Sequence, residues 1–256
     1  MKTFYVDSLR VQIFPDRRTM GRRSGEDAAE CLRQLLREKE TVNIMFGAAP
    51  SQNEMLETLC QSDVDWTRVN AFHMDEYLGL PADHPASFGN FLRRAIFDHL
   101  PFRAVYFIDG SGRDVPHAIR EYEALLRSHP LDVCMLGVGE NGHLAFNDPP
   151  ADFRDPALLK TVTLEETCRL QQVHDGCFSA LDQVPRQALT VTVPGLCSAG
   201  RMLCTVPAVT KAEAVRAMLE EPVSPACPAS ILRRYDNAAL YLDADAASRL
   251  SPDLFR

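Results

Sequence analysis

The stretch DVCMLGVGENGHLAFNDPP, residues 132–150, starts as an apolar run and ends as a polar, glycine-rich loop around one histidine. Residues 132–138 have the length and composition of a strand buried on both faces, as in a parallel sheet. Gly137, Gly139 and Gly142 then allow positive φ and let the backbone approach a ligand closely. A chain that leaves a buried strand this way, placing His143 in the loop, serves a tight turn, a metal, a phosphate or an acid–base center. The neighboring segments narrow the choice.

Outward from this strand, strands and helices alternate. Segments 11–14, 42–46, 68–74 and 104–108 predict strands before it, and 188–193, 201–206 and 238–243 predict strands after it. Helical spacing links Ala28, Ala29, Leu32, Leu35 and Leu36, then Met55, Leu56 and Leu59, with SQNE (51–54) as a capping box opening the second of these helices. Further helices carry Phe88, Phe91, Leu92 and Ile96, then Ile119, Tyr122, Leu125 and Leu126, and last the span from Lys211 to about Leu219. The segment between 150 and 188 reads as irregular. This alternation predicts an α/β fold with a doubly wound, mostly parallel sheet flanked by helices. No repeat or Pro/Gly/Ser linker divides it, so 1–256 reads as one domain.

Composition removes several classes of function. The net charge of −8 lacks the basic footprint of a nucleic-acid binder and repels anionic membranes. No window reaches the roughly 20 apolar residues of a membrane span, and the first eighteen residues hold no uninterrupted apolar core of signal-peptide length. Eight cysteines lie without a C-x-x-C pair. They read as reduced small side chains and the compartment as cytoplasmic.

Ligands of an open parallel sheet bind at the carboxyl ends of its strands. Three strand exits here carry unusual chemistry: GAAPSQ after Phe46, DEY after Met74 and GENGH after Val138. His143 has no H-x-H, H-E-x-x-H or Cys/His cluster around it, so the metal reading is weak and none is expected. With Asp148 nearby it fits an imidazole whose tautomer a carboxylate fixes, as general acid–base work requires. Asp75-Glu76 reads either as a solvated turn or helix cap, or as a strand-end base able to take a carbon-bound proton. Gly47, Ala48, Ala49 and Ser51 lead into a helix N-terminus, a natural but here weakly signaled anion site. Lys211, at a later helix start, is a surface lysine or a cation for that site.

Taken together these residues resemble the glucosamine-6-phosphate deaminase family, within the superfamily that also holds 6-phosphogluconolactonases. The likeness runs from about residue 25 to 245. It is carried by FHMDEYLGLPADHPASF (72–88), GVGENGHLAFNDP (137–149) and QVPRQALTVTVPGL (183–196). The lactonase branch typically reads DER and DGHTASLFP at the first two, so MDEY and NGHLAFNDP favor the deaminase side.

The resemblance implies a Rossmann-like fold and a cofactor-free conversion of an amino sugar phosphate, D-glucosamine 6-phosphate above all, to fructose 6-phosphate and ammonium. Asp75 would move a proton between C2 and C1. His143 would open the ring, Asp148 would orient it, and Asn141 would belong to the same relay. The phosphate would lie on the 47–52 loop with Lys211, and Arg169 is the best counterpart of the family's phosphate arginine. Three departures stand out: AAPS replaces the usual GGTP loop, Asn141 carries no charge, and Asp148 is a methylene shorter than the usual Glu. The expected partner is a small sugar phosphate, and a homo-oligomer is compatible with the sequence. A lactonase using His143 to activate water, and a silent sugar-phosphate sensor, are the rival readings.

Overall fold

The apolar run that opens the 132–150 stretch forms β7 (Val133–Leu136) near the middle of an eight-stranded sheet. The computed structural model describes residues 1–255. The chain begins with a hairpin, β1 (Lys2–Val6) and β2 (Leu9–Phe14), and continues through α1 (Arg17–Glu38), β3 (Val42–Phe46), α2 (Asn53–Cys60) and β4 (Val69–His73). Then come β5 (Asp75–Tyr77), α3 (Phe88–Leu92), β6 (Ala104–Tyr106) and α4 (Val115–Ser128), which lead to β7. After the histidine loop follow β8 (Leu159–Thr163), α5 (Glu166–His174), β9 (Gln187–Val191) and α6 (Val193–Cys197). The chain closes with β10 (Arg201–Val206), α7 (Ala212–Glu220) and β11 (Ala238–Asp243).

The main sheet runs β1-β2-β11-β10-β7-β3-β4-β6, with every pair parallel except the β1–β2 hairpin. This is the doubly wound, mostly parallel sheet that the alternation predicts. Both faces are covered, and the strands show why their sequences lack a polar side. In β7, Val133 and Met135 enter one apolar layer with Ile44, Phe46, Val69 and Trp66, while Cys134 and Leu136 enter the opposite layer with Met45, Phe72 and Leu240. Burying each such aliphatic or aromatic side chain contributes about 1.5–3 kcal/mol, so a continuous apolar run is what a two-sided environment selects.

From β3 the chain winds outward to β4 and β6; from β7 it winds the other way to β10 and β11. The reversal between β3 and β7 opens a crevice at their carboxyl ends, where ligands of such sheets bind.

Four features differ from the sequence reading. The first edge strand, β1, has exposed and polar residues on much of its length and gave no apolar period. The segment between 150 and 188 is not irregular: it holds β8 and α5. And β9, expected in the main sheet, lies in a separate antiparallel sheet of order β5-β9-β8. The capping box also fails. Pro50 starts a 3₁₀ turn over Pro50–Gln52, the Ser51 hydroxyl accepts from Gln52 Nε2 (3.0 Å), and Glu54 pairs with Arg17 (2.6 Å) without reaching back.

Candidate active site

At the crevice, a cleft is lined by residues from all three strand exits, among them Ala48, Gln52, Asp75, Gly139 and His143. Asp75 reaches it because the chain changes sheets between β4 and β5. Val191 N–H donates to Met74 O (2.7 Å), and Asp75 pairs with Thr190 on β9. The carboxyl is buried at 5% exposure and its Oδ1 has no hydrogen-bond partner. Burial, with the neighboring Glu76 carboxyl, pushes its pKa well above the ordinary carboxylate value.

Glu76 has a different task. It accepts from the N–H groups of Tyr77 (2.9 Å), Phe88 (3.0 Å) and Gly89 (2.9 Å), capping the first turn of α3 from outside the helix. So the structure divides the DEY motif: one carboxylate is a cap, the other is left unpartnered in the cleft.

His73, just before, braces Asp75. Ile108 N–H donates to its Nε2 (2.9 Å), so Nε2 is the acceptor and Nδ1 carries the proton, which it donates to Asp75 O (2.9 Å). Tyr122 OH donates to the His73 carbonyl (2.6 Å), and the Tyr122 hydroxyl oxygen accepts from His73 N–H (3.1 Å). Burial lowers the His73 pKa to about 4, which keeps the ring neutral.

The glycines around His143 have identifiable reasons. A Cβ on Gly139 would lie 2.1 Å from the His143 ring, so the imidazole packs directly on bare backbone. Gly142 has φ +84°, and a Cβ there would meet Cys227 Sγ at 2.9 Å. Asn147 Nδ2 donates to Leu144 O (2.9 Å) and Val191 O (2.8 Å), and Phe146 N–H donates to Thr190 Oγ1 (3.0 Å). These bonds tie the histidine loop to β9, the strand that also pairs with Asp75.

His143 is buried, and its Nδ1 faces Asn141 Oδ1 at 2.7 Å and Asp148 Oδ1 at 3.3 Å. Asn141 Nδ2 donates to Asp148 Oδ1 (3.0 Å), which fixes the amide orientation and leaves Oδ1 for the imidazole. Two acceptors at Nδ1 put the proton there and leave the lone pair on Nε2. Burial pushes Asp148 up, but hydrogen bonds from His143, Asn141 and Glu165 N–H outweigh it and hold the carboxyl below its usual value.

Donor atoms of His143, Asp148 and Cys168 lie within 4.8 Å of one another, a grouping that could hold a metal ion. The direct hydrogen bonds through Asn141 already account for the histidine and the carboxylate.

The remaining predicted residues separate. Gly47, Ala48, Ala49 and Ser51 line the cleft. Lys211 is not among the residues lining the cleft; it is buried at 4% exposure with no partner for its Nζ, and burial lowers its pKa, while the carboxylates of Asp175 and Glu140 oppose that shift. A buried ammonium without a partner is costly unless an anion completes it. Arg169 does not line the cleft. Its Nη2 donates to Leu181 O (2.6 Å) and Val184 O (3.0 Å), so the guanidinium braces the turn before β9. The sequence reading missed Gln52, Gln171 and Gln172 on the cleft wall. The only signal for the last two is that they are polar residues at adjacent positions in a helix with no clear apolar stripe.

The fold and cleft define a class: an α/β protein with an unpartnered carboxyl and a carboxylate-oriented imidazole at the sheet's topological switch. A model of glucosamine-6-phosphate isomerases/6-phosphogluconolactonase matches residues 15–241. A glucosamine-6-phosphate deaminase of Exiguobacterium sibiricum is 34% identical over 223 residues, 87% of each chain. One of Bacillus thuringiensis is 31% identical over 226 residues, 88% of this chain and 85% of that one. The solved structure of a monomeric glucosamine-6-phosphate deaminase superposes with a TM-score of 0.85 at 26% identity, over 93% of this chain and 98% of that one. A 6-phosphogluconolactonase of Thermotoga maritima shares the fold at a TM-score of 0.75 and 18% identity, over 91% of this chain and 98% of that one. This chain belongs to the glucosamine-6-phosphate isomerase/6-phosphogluconolactonase family.

Proposed function

We propose that the chain is an amino sugar phosphate deaminase: an aldose–ketose isomerase that converts D-glucosamine 6-phosphate to fructose 6-phosphate and ammonium. The observation that carries this reading is that Asp75, unpartnered, and His143, oriented through Nδ1, line one cleft.

His143 moves protons between the ring oxygen and the C1 hydroxyl, opening the pyranose. In the open aldehyde the C2 proton is acidic, and the ionized Asp75 takes it. A carboxylate destabilized by burial is a stronger base than one in water. Returned to C1, the proton leaves an imine at C2. Water adds there, the C2–N bond breaks, and ammonium departs. Asp148 and Asn141 stabilize the imidazolium formed during ring opening.

The free N–H groups of the 48–51 loop and Lys211 are the donors available to the phosphate. The chain acts as one domain in this reading, since the β5-β9-β8 sheet supplies Asp75 and anchors the His143 loop. Eight free cysteines suit a reducing, cytoplasmic setting, and no helix among the described residues is long and apolar enough to cross a membrane.

An ammonia-release assay over phosphorylated and free amino sugars tests the reading. Release from glucosamine 6-phosphate supports it. Hydrolysis of a 6-phosphogluconolactone without ammonia release from any amino sugar would replace it with the lactonase, and calorimetric binding without turnover would replace it with a sensor.

A further inference from the structure

The cleft wall around Gln52 is short of hydrogen-bond donors. Gly47 N–H donates to Met135 O (2.9 Å), Gln52 N–H to Ala49 O (2.9 Å) and Gly139 N–H to His143 O (3.0 Å). Glu140 N–H donates to Gln171 Oε1 (2.8 Å). No arginine lines the cleft among the described residues. On the cleft wall that leaves the Ser51 hydroxyl, the Gln172 amide and a few loop N–H groups, with Lys211 behind it as the cation, to meet a terminal phosphate, which carries three acceptor oxygens and close to two negative charges.

The same wall presents an acceptor that needs a proton. Gln52 is buried at 1% exposure, and its Nε2 donates to Thr205 O (3.1 Å) and to Ser51 Oγ (3.0 Å). A carbonyl only accepts, so the amide cannot flip, and Oε1 is held away from Thr205 with no partner. A dianionic phosphate oxygen placed there would meet a lone pair, whereas a hydroxyl would donate. An orphaned acceptor on the cleft wall suits a group that gives a hydrogen bond.

We propose, resting on the deaminase reading above, that this cleft accepts the amino sugar with a free terminal hydroxyl as well as its phosphate ester, with Gln52 Oε1 receiving the hydroxyl proton. The reaction balances identically for both. The C2 proton goes to C1, water supplies the ketose oxygen, the C2–N bond breaks and ammonia leaves.

The test compares ammonia release by the wild-type protein from 2-amino-2-deoxyglucose and from its 6-phosphate, so it does not depend on a variant folding. A kcat/KM for the free sugar within about 100-fold of the ester is expected; an advantage of about 10⁴-fold or more for the ester would overturn the proposal. Gln52→Met should move the ratio about tenfold further toward the ester, the value of one hydrogen bond; an unchanged ratio would remove Gln52 from the recognition. If neither sugar releases ammonia, the deaminase reading fails, and calorimetry on the same two sugars decides the inference separately. Dissociation constants within about tenfold would support it, and binding of the ester alone would overturn it.

Discussion

Asp148 Oδ1 lies 3.3 Å from His143 Nδ1, and Asn141 hydrogen-bonds both. The imidazole is therefore held in the tautomer whose Nε2 accepts a proton. Asp148→Asn would present an amide N–H to Nδ1 and favor the opposite tautomer, so turnover should fall about 100-fold or more with little change in KM. Steady-state kinetics check this, and a decrease under about threefold would mean that Asn141 alone orients the ring.

The same carboxyl sets an acid limit on stability. Its folded pKa is lowered from 3.8. Its contribution is therefore full above about pH 4 and is lost as pH falls below 3.8 through the lowered folded value. Asp148→Asn should flatten that part of the acid-unfolding curve. A curve as steep as the wild type's between about pH 4 and 2 would show that the ion pair contributes nothing to the fold.

Asp75 behaves with the opposite sign. Its raised folded pKa means that ionization is harder in the native state. The resulting destabilization is absent below the unfolded value of 3.8 and grows as pH rises through it toward the folded value. Asp75→Asn should thus abolish turnover and yet melt higher than wild type at pH 7, with the difference vanishing near pH 3.5. Equal melting temperatures at both pH values would contradict the burial argument, whatever the activity.

In the deaminase reading, His73 positions the Asp75 base. Replacing it with Phe removes the donor to Asp75 O and the acceptor for Ile108 N–H. A kcat decrease of about tenfold at nearly constant KM is expected, with partial rescue by His73→Asn. The ring must stay neutral in the fold to about pH 4. The wild type therefore loses stability as pH falls from 6.5 toward 4, and His73→Phe should lose less. A KM effect as large as the kcat effect would point to general disruption of the cleft.

Lys211→Met tests the anion site. Removing a buried, unpartnered ammonium should raise KM for the phosphate ester at least about tenfold, and by clearly less for the free sugar. Equal increases for both would place the phosphate elsewhere.

Much of this was readable from the chain because two-sided burial writes apolar runs. Val42–Phe46, Arg201–Val206 and Ala238–Asp243 are strands at the bounds their sequences predict. The helix α5 was not readable. It turns Cys168, Gln171 and Gln172 inward, two of them toward the cleft, so its buried face is polar and carries no helical apolar period. β8 buries only Leu159 and alternates half-buried and exposed residues after it along one short edge strand, a weak signal between polar flanks. The residues themselves suggest an acid–base pair in His143 and Asp148 and a strand-end base in Asp75; the step assigned to each comes from resemblance, and their geometry from the structure. Arg169 could not be assigned from sequence, because an arginine that braces carbonyls and one that binds phosphate look alike until the fold places them. Gln52 went unnoticed because its meaning lies in Thr205, 153 positions away.

The central claim is a division of labor, in which His143 opens the ring and Asp75 moves the carbon-bound proton. Fructose 6-phosphate has an open keto form in solution, so the reverse reaction reaches the proton-transfer step without ring opening by the enzyme. The decisive measurement is deuterium exchange at C1 of fructose 6-phosphate, followed by NMR with ammonium in deuterated water, for Asp75→Asn and His143→Gln side by side. The account predicts that exchange disappears in Asp75→Asn and persists in His143→Gln, although forward turnover of the cyclic amino sugar is crippled in both. Exchange at the wild-type rate in Asp75→Asn, or its complete loss in His143→Gln, would contradict it.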